Sequence, residues 1–471
     1  MRLNPLRTAL IAFSNGLARW DIIDAHRGEQ TVRLAWPRIV SGFARLSQRL
    51  IDLAMIGVVL GPAAIAGLAF AFAYWQIANQ ISLGLSGGAI TLVSQRFGVD
   101  NLEAVDLVAK QAVLLAVLIS IPFTLVFWYV PAQLIGLLGA GPEAIGFGEV
   151  YLRITGIGLV FAYLNKIASR ILVGVDDALT PMYVRSIGVL LNILLNCIFI
   201  FGLGLGVFGA ALGTLLASVS TTAMFVMLFF DISLPTVGKS PVVLTLSRPY
   251  IDPVLLTQLL KISVPLMARW VAHSIIIFPF LAIVSVYGSN TVAAFEIGRR
   301  IRGLLNAPGW GFGLASSSLI GQKLGSGVES EARAYAWDII KFSTTIYLTF
   351  SCIVFVLAPQ VATLFVEDPN IHSQATVFIR VSTVAVIWMG IDETTTGALR
   401  GAGDTSWPLY GKLVGLYLVA LPIAYVGTYS SQGIVMIYIA FVAETFVPAC
   451  VSFYRFRTDR WIQVSLKYRP H

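Results

Sequence analysis

Twelve stretches of about 20 mostly apolar residues, separated by short polar breaks, decide most of what this chain can fold into. They fall at 38–60, 67–95, 107–130, 147–170, 181–202, 207–230, 261–287, 291–320, 336–358, 373–398, 407–428 and 432–455. In hydrocarbon each stretch has to satisfy its own backbone hydrogen bonds, and a helix is the structure that does so within one segment. Of the 471 residues 57% are hydrophobic and only 12% charged, and the mean hydropathy is +0.82. A soluble domain carries about 25% charge, so lipid is the expected solvent. The predicted fold class is all-α integral membrane, with twelve transmembrane helices.

The basic residues set the orientation. The connections after spans 1, 3, 5, 7, 9 and 11 hold no Lys or Arg. The other loops and both termini carry Arg96, Lys166, Arg170, Lys239, Arg248, Lys323, Arg333, Arg400 and Lys412 among others, read here as loop cations. Cations remain on the cytoplasmic side, so both termini are expected inside and the number of spans is even. The net charge of +8 is spread along the chain rather than gathered in one domain, which argues against a nucleic-acid partner. The basic tail from Arg455 to Arg469 is expected to meet anionic lipid, and the N-terminal segment to form an interfacial amphipathic helix. Localisation is expected in the plasma (inner, cytoplasmic) membrane.

The second half repeats the first. LVGVDDALTPMY (172–183) matches LRGAGDTSWPLY (399–410), pairing Gly174 with Gly401, Asp177 with Asp404, Pro181 with Pro408 and Tyr183 with Tyr410 at an offset of 227. The same offset pairs Gly61 with Gly288, Gln95 with Gln322, Pro142 with Pro369 and Arg153 with Arg380. Six spans per copy make a parallel repeat about a pseudo-two-fold axis along the membrane normal. The expected layout is a segment at 1–36, an N-lobe at 37–231, a linker at 232–260, a C-lobe at 261–456 and a tail at 457–471. Two such lobes suit alternating access.

Ionisable residues inside a span are costly and therefore candidates for function. The first span carries Arg45, Gln48, Arg49 and Asp52 within one helical sector. Asp52 is either a carboxylate facing a cleft, able to take H⁺ or Na⁺, or half of an ion pair with Arg49. Asn192 and Asn196 stand four apart on the fifth span, so they share a face, and Thr214 lies on the sixth. Their oxygens suit a small hard cation beside Asp52, and they equally suit interhelical hydrogen bonds. The second half offers Arg269 and His273 in its first span, Glu296, Arg299, Arg300 and Arg302 in its second, and Asp392 and Glu393 in its fourth. Arg49, Gln48, His273, Asp392 and Glu393 are therefore candidate substrate-side polar residues.

Gly84, Gly87 and Gly88 in the second span, and Pro308, Gly309, Gly311 and Gly313 in the eighth, are expected to break their helices at matching places. Phe43, Tyr74, Trp75, Met267, Trp270, Trp310 and Trp388 fall in spans, where they serve as core or as the wall of a cleft for flat cationic compounds. Cys197, Cys352 and Cys450 show no pairing or metal spacing and are expected to be small buried hydrophobes. Phosphate-loop, H-E-x-x-H and nucleophile-elbow motifs are missing from the sequence, so neither an enzyme nor direct use of ATP is expected.

The segments IDLAMIGVVLGPAAIAGLA (51–69), GGAITLVSQRFG (87–98), APGWGFGLASSSLIGQKLG (307–325) and GALRGAGDTSWP (397–408) resemble the multidrug and toxic compound extrusion (MATE) family, with the prokaryotic DinF-like branch nearest. The resemblance runs from about 35 to 455. It implies a twelve-helix, two-lobe secondary antiporter that expels amphipathic, cationic small molecules such as drugs and toxic compounds in exchange for H⁺ or Na⁺. It implies no cofactor beyond that ion and small-molecule substrates as partners; a monomer in the lipid bilayer is expected. Asp52 matches the family's coupling aspartate, Asn192 and Thr214 match residues beside it, and Asn196 stands where relatives often have a second aspartate. His273 stands where another branch has a glutamate, and Asp392 lies about one turn from that branch's acid. A lipid-linked or polysaccharide flippase of the same superfamily is the alternative. It would need a cationic cleft, for which the arginines at 45, 49, 269, 299 and 300 are candidates.

Overall fold

The computed structural model describes residues 4–234, 237–245 and 247–469, and among them it is all helix, with no β-sheet. The helices are apolar outside and partly polar inside, the reverse of a soluble bundle. On Leu102–Tyr129, Leu118, Ile121, Leu125 and Trp128 are exposed at helical spacing, while Asp106, Gln111 and Ser120 are buried. Such an outer face is stable only against lipid. Cys352 and Cys450 lie on these exposed faces and Cys197 is half-buried, so the expectation of three buried thiols is corrected.

Ten of the described helices are long and apolar enough to cross a membrane. The helix Ala25–Phe97 contains two spans, divided at Gly61, whose φ of 77° and ψ of −170° leave the helical region. The eighth span is divided at Asn306 into Ser289–Leu305 and Ala307–Gly325, so that neither half passes on its own. Twelve spans result. Gly288, paired with Gly61 by the repeat, has nearly the same backbone, with φ 94° and ψ 165°. A side chain would strain both positions.

The repeat register survives into three dimensions. Leu102–Tyr129 and Glu329–Val356 both begin and end 227 apart, as do Pro142–Gly174 and Pro369–Gly401, and the starts of Gly206–Phe229 and Gly433–Arg457 keep the same spacing. Pro142 and Pro369 each occupy a first helical turn, where a missing N–H costs nothing. The π-helical stretches break the symmetry, lying at Cys197–Gly202 in one copy and Val414–Ala420 in the other.

The chain forms two compact units, Val40–Met267 and Ala268–His471, the second also including the residues before Val40. The division therefore falls within the first and seventh span helices rather than at the 232–260 segment. In the first unit the residues after Phe229 lie along Leu102–Tyr129: Asp106 accepts from Thr245 Oγ1 (2.6 Å) and N (3.2 Å), and Lys110 Nζ donates to Ser247 O at 3.0 Å. The seventh-span helix already starts at Pro253. In the second unit the N-terminal segment is docked, not free. Phe13 stacks on Phe342 at 6.2 Å, and Arg27 pairs with Asp338 at 2.6 Å. The C-terminal tail is docked as well, with Trp461 fully buried against Phe456 and Arg469 on Glu329 at 2.9 Å.

The second span runs through Gly84 and Gly88 without a break. A Cβ at Gly84 would collide with the backbone of Met267, and one at Gly88 with Ser263 and Leu259. These glycines admit a neighbouring helix, which corrects the expectation of a broken helix there; in the eighth span the break falls at Asn306, and the helix Ala307–Gly325 then runs through Pro308, Gly309, Gly311 and Gly313.

Candidate functional site

The first unit holds an open cavity of about 220 Å³. Its wall follows helical periodicity. Ser41, Arg45, Gln48, Arg49 and Asp52 share one face of the first span and all line it. Phe72, Trp75 and Asn79 do the same on the second span, and Tyr151, Thr155, Asn165 and Lys166 line it from Pro142–Gly174. Arg185 and Gly188 come from the fifth span, and Thr214 and Thr221 from the sixth.

Asp52 faces this cavity and accepts a hydrogen bond from Asn196 Nδ2 at 2.8 Å. Arg49 forms no ion pair with it. The Arg49 guanidinium lies 4.7 Å from the centroid of Phe72, a cation–π contact. Asp52 thus lines the cavity and is not paired with Arg49. Asn192 and Asn196 do not line the cavity; they stand behind it, almost fully buried. Asn192 Nδ2 donates to Thr214 Oγ1 at 3.2 Å, and Thr214 Oγ1 donates to Ala210 O at 2.9 Å. Both asparagines keep a buried side-chain oxygen without a partner. Buried polar atoms are rarely left so, and amide oxygens are suitable ligands for a small hard cation.

Gly213 makes this arrangement possible. A Cβ there would fall on the Asn196 amide oxygen.

Lys166 corrects the sequence reading. It is no loop cation: it lies buried in Pro142–Gly174, with Nζ donating to Ser82 Oγ at 2.6 Å, to Asn79 O at 3.1 Å and to Asn79 Oδ1. The signal was its place inside the apolar run 147–170. Arg185, Asn79, Asn165 and Tyr151 were likewise not singled out from sequence, because a single polar residue in a span gives no sign of which face its neighbours present.

The candidates of the second half are placed elsewhere, in the interior of the other unit. Arg269 pairs with Asp392 at 2.7 Å, and Asp392 also accepts from Ser452 Oγ at 3.0 Å and Thr396 Oγ1 at 3.1 Å. Asp392 is thus engaged by three side chains in the interior of the second unit. His273 is packed beside Trp270 with its Nδ1 unpartnered. Glu393 lies beside Gly309 and Gly313. Arg302 pairs with Glu444 at 3.1 Å and stacks on Phe441 at 4.0 Å. Arg299, in contrast, pairs with Glu296 at a half-exposed position. Of the aromatic residues and methionine expected along a cleft, Trp75 lines the cavity. Tyr74 bonds Leu134 O, Trp310 lies under Arg38, Trp388 packs on Phe446, and Met267 meets Gly84.

The family model MatE matches residues 37–198 and again 265–426, one match in each half. The chain belongs to the MatE family. Its curated relatives include "Probable multidrug resistance protein NorM" of Thermotoga maritima, 22% identical over 95% of this chain and 96% of the relative. "Multidrug resistance protein PmpM" of Pseudomonas aeruginosa is 24% identical over 84% of this chain and 83% of its own length. Among solved structures, a MATE protein in complex with MaD3S superposes with a TM-score of 0.85 at 25% identity, covering 93% of this chain and 96% of the other. An outward-facing multidrug resistance MATE family transporter of the MOP superfamily superposes at 0.82 with 26% identity, over 93% and 96%. As a MatE member the chain is a multi-pass membrane transporter, not an enzyme, and the twelve-helix, two-lobe layout is that of its structural relatives.

Proposed function

We propose that this protein is a secondary antiporter that exports amphipathic small molecules by alternating access, in exchange for H⁺ or Na⁺ bound at Asp52. The observation that carries the reading is Asp52 itself: a carboxylate on the wall of a cavity at span depth, held by Asn196 at 2.8 Å and backed by two unpartnered amide oxygens. The names of the relatives, multidrug resistance proteins, support efflux. Neutralising Asp52, by a proton or by a sodium ion that also takes up the amide oxygens of Asn192 and Asn196, weakens the charge-assisted bond to Asn196. The fifth and first spans are joined through that bond, so ion occupancy biases the helix arrangement and favours the state that releases cargo outside. The protein would sit in the plasma membrane with both termini cytoplasmic, as the distribution of loop cations favours.

The test is uptake or release of a fluorescent amphipathic dye by reconstituted vesicles, driven separately by a proton gradient and a sodium gradient. One of the two gradients is expected to drive movement, and Asp52→Asn to abolish it at normal protein content. Full gradient-driven movement by that variant would refute the assignment.

A further inference from the structure

Sequence and resemblance led to an expectation of cationic cargo, and the charge of the cavity opposes it. Four basic side chains line the wall, Arg45, Arg49, Lys166 and Arg185, against one carboxylate, Asp52. With all five ionised the formal charge is +3, and neutralising Asp52 raises it to +4. The bases are gathered together. The strongest charged neighbours of Lys166 are Arg45, Arg185, Arg170 and Arg49, all of them cations, and its hydrogen-bond acceptors Asn79 and Ser82 are neutral. Asp52 instead stands with Asn196. The cavity thus combines one acid held by Asn196 with a larger basic region around Lys166, and Phe72 and Trp75 contribute apolar wall.

We propose that the basic region around Lys166 and Arg185 seats an anionic group of the transported amphiphile, a phosphate, sulfonate or carboxylate. Such an oxyanion accepts charge-assisted hydrogen bonds from guanidinium and ammonium donors. It also offsets the mutual repulsion of like charges in a poorly screened cavity, whereas a cation would add to that repulsion. The hydrocarbon part of the cargo lies against Phe72 and Trp75. This rests on the reading of the cavity as the transport site. Ion and cargo then occupy separate parts of the cavity, so exchange depends on which state each of them favours, not on displacement of one by the other.

The test uses two dansyl-alkyl probes of equal chain length, one ending in phosphate and one in trimethylammonium. Their binding is measured without any gradient to the full chain in phosphatidylcholine nanodiscs. The phosphate probe should bind at least about tenfold more tightly, and Lys166→Gln and Arg185→Gln should each weaken it by roughly tenfold while leaving the ammonium probe unaffected. Asp52→Asn, which abolishes gradient-driven movement on the preceding reading, should hold the phosphate probe at least as tightly as the native protein.

Competition by phosphatidic acid added to the nanodiscs would identify a lipid headgroup as the source of the anion. Competition only by a water-soluble alkyl phosphate would identify a free organic anion. An ammonium probe that binds as tightly as the phosphate probe overturns the proposal. So does unchanged phosphate affinity in Arg185→Gln, which tests the site even if Lys166→Gln fails to fold. Gradient-driven movement without anion preference would leave the antiporter reading standing and remove this one. Anion binding without gradient-driven movement would do the reverse.

Discussion

Replacing Gly213 by alanine tests whether the Asp52 site depends on the packing behind it. Gly213 lies on Gly206–Phe229, and the new methyl would land on the Asn196 amide oxygen, with Asn196 Cγ 3.2 Å away and the Asn196 backbone N 3.3 Å away. The backbone is close enough that the fifth span cannot simply ignore the intrusion, so the Asn196 side chain has to turn. Overpacking of this kind costs about 1–3 kcal/mol. Turning the amide also breaks its 2.8 Å bond to Asp52, and a hydrogen bond to a charged group contributes about 1.5–3 kcal/mol. Gly213→Ala should therefore lower the thermal unfolding temperature in detergent and cut gradient-driven dye movement severalfold, although residue 213 does not line the cavity. Adding Asn196→Ala removes the obstructed side chain, so the double variant should be less destabilised than the two singles together, by about 0.5–3 kcal/mol. Native-like melting and transport in Gly213→Ala, or strict additivity in the double variant, would refute this account of how Asp52 is held.

In the second unit, Glu444→Leu leaves Arg302 buried without its partner 3.1 Å away. A loss of about 3–5 kcal/mol is expected in thermal unfolding, largely recovered in Arg302→Met/Glu444→Leu. Asp404 lies in the loop after Gly401, where burial raises its carboxyl above the usual range and outweighs the Arg455 guanidinium 2.6 Å away. The folded state then holds the proton to higher pH than the unfolded chain, so this group's contribution to stability falls as pH rises from about 4. Asp404→Asn should flatten that part of a melting-temperature profile against pH. Asp106→Ala removes the acceptor of Thr245, and limited proteolysis should then cut within 237–252 faster than in the native protein, with the helical units intact.

The spans were legible because lipid demands length and apolarity from each of them, and both are local properties. The repeat was legible because one register runs through both halves, and the helix bounds keep it. What the sequence concealed is which helix each polar face meets. The face of Arg45, Arg49 and Asp52 could be read from spacing, but Lys166 could not be placed opposite it, since its partners Asn79 and Ser82 lie 87 and 84 residues away. The same limit hid the role of Gly84 and Gly88. A glycine at a close helix approach and a glycine at a break read alike in one dimension, and only the Met267 and Ser263 atoms against them distinguish the two. Asp392 resembled a functional acid because nothing in its own helix revealed Arg269, 123 residues earlier in the chain.

The repeat also relates the cavity of one copy to a cluster of aromatic rings in the other. At the common offset of 227, Thr214 corresponds to Phe441, Tyr151 to Phe378 and Leu68 to Phe295. Phe295, Phe378 and Phe441 pack on one another with ring centroids 5.6–6.3 Å apart, edge to face, in a fully buried cluster. Two of these rings thus stand at the positions of the cavity-lining Thr214 and Tyr151, and Asp52 itself corresponds to Pro279, which cannot titrate. The polar pair Asn79 and Lys166 corresponds to Asn306 and Glu393, so the charge at this position is reversed while the asparagine is kept. Asn306 is the residue at which the eighth span breaks, and Tyr347 Oη donates to its side-chain oxygen at 2.9 Å. One backbone plan therefore supports two different interiors: one with a cavity lined by basic side chains and Asp52, and one containing a cluster of aromatic rings and closed ion pairs. Because the main-chain register is the same in both, the difference in role lies in side chains at matching positions. Phe441 and Phe378 on one side, and Asp52 and Lys166 on the other, are the residues that separate the two.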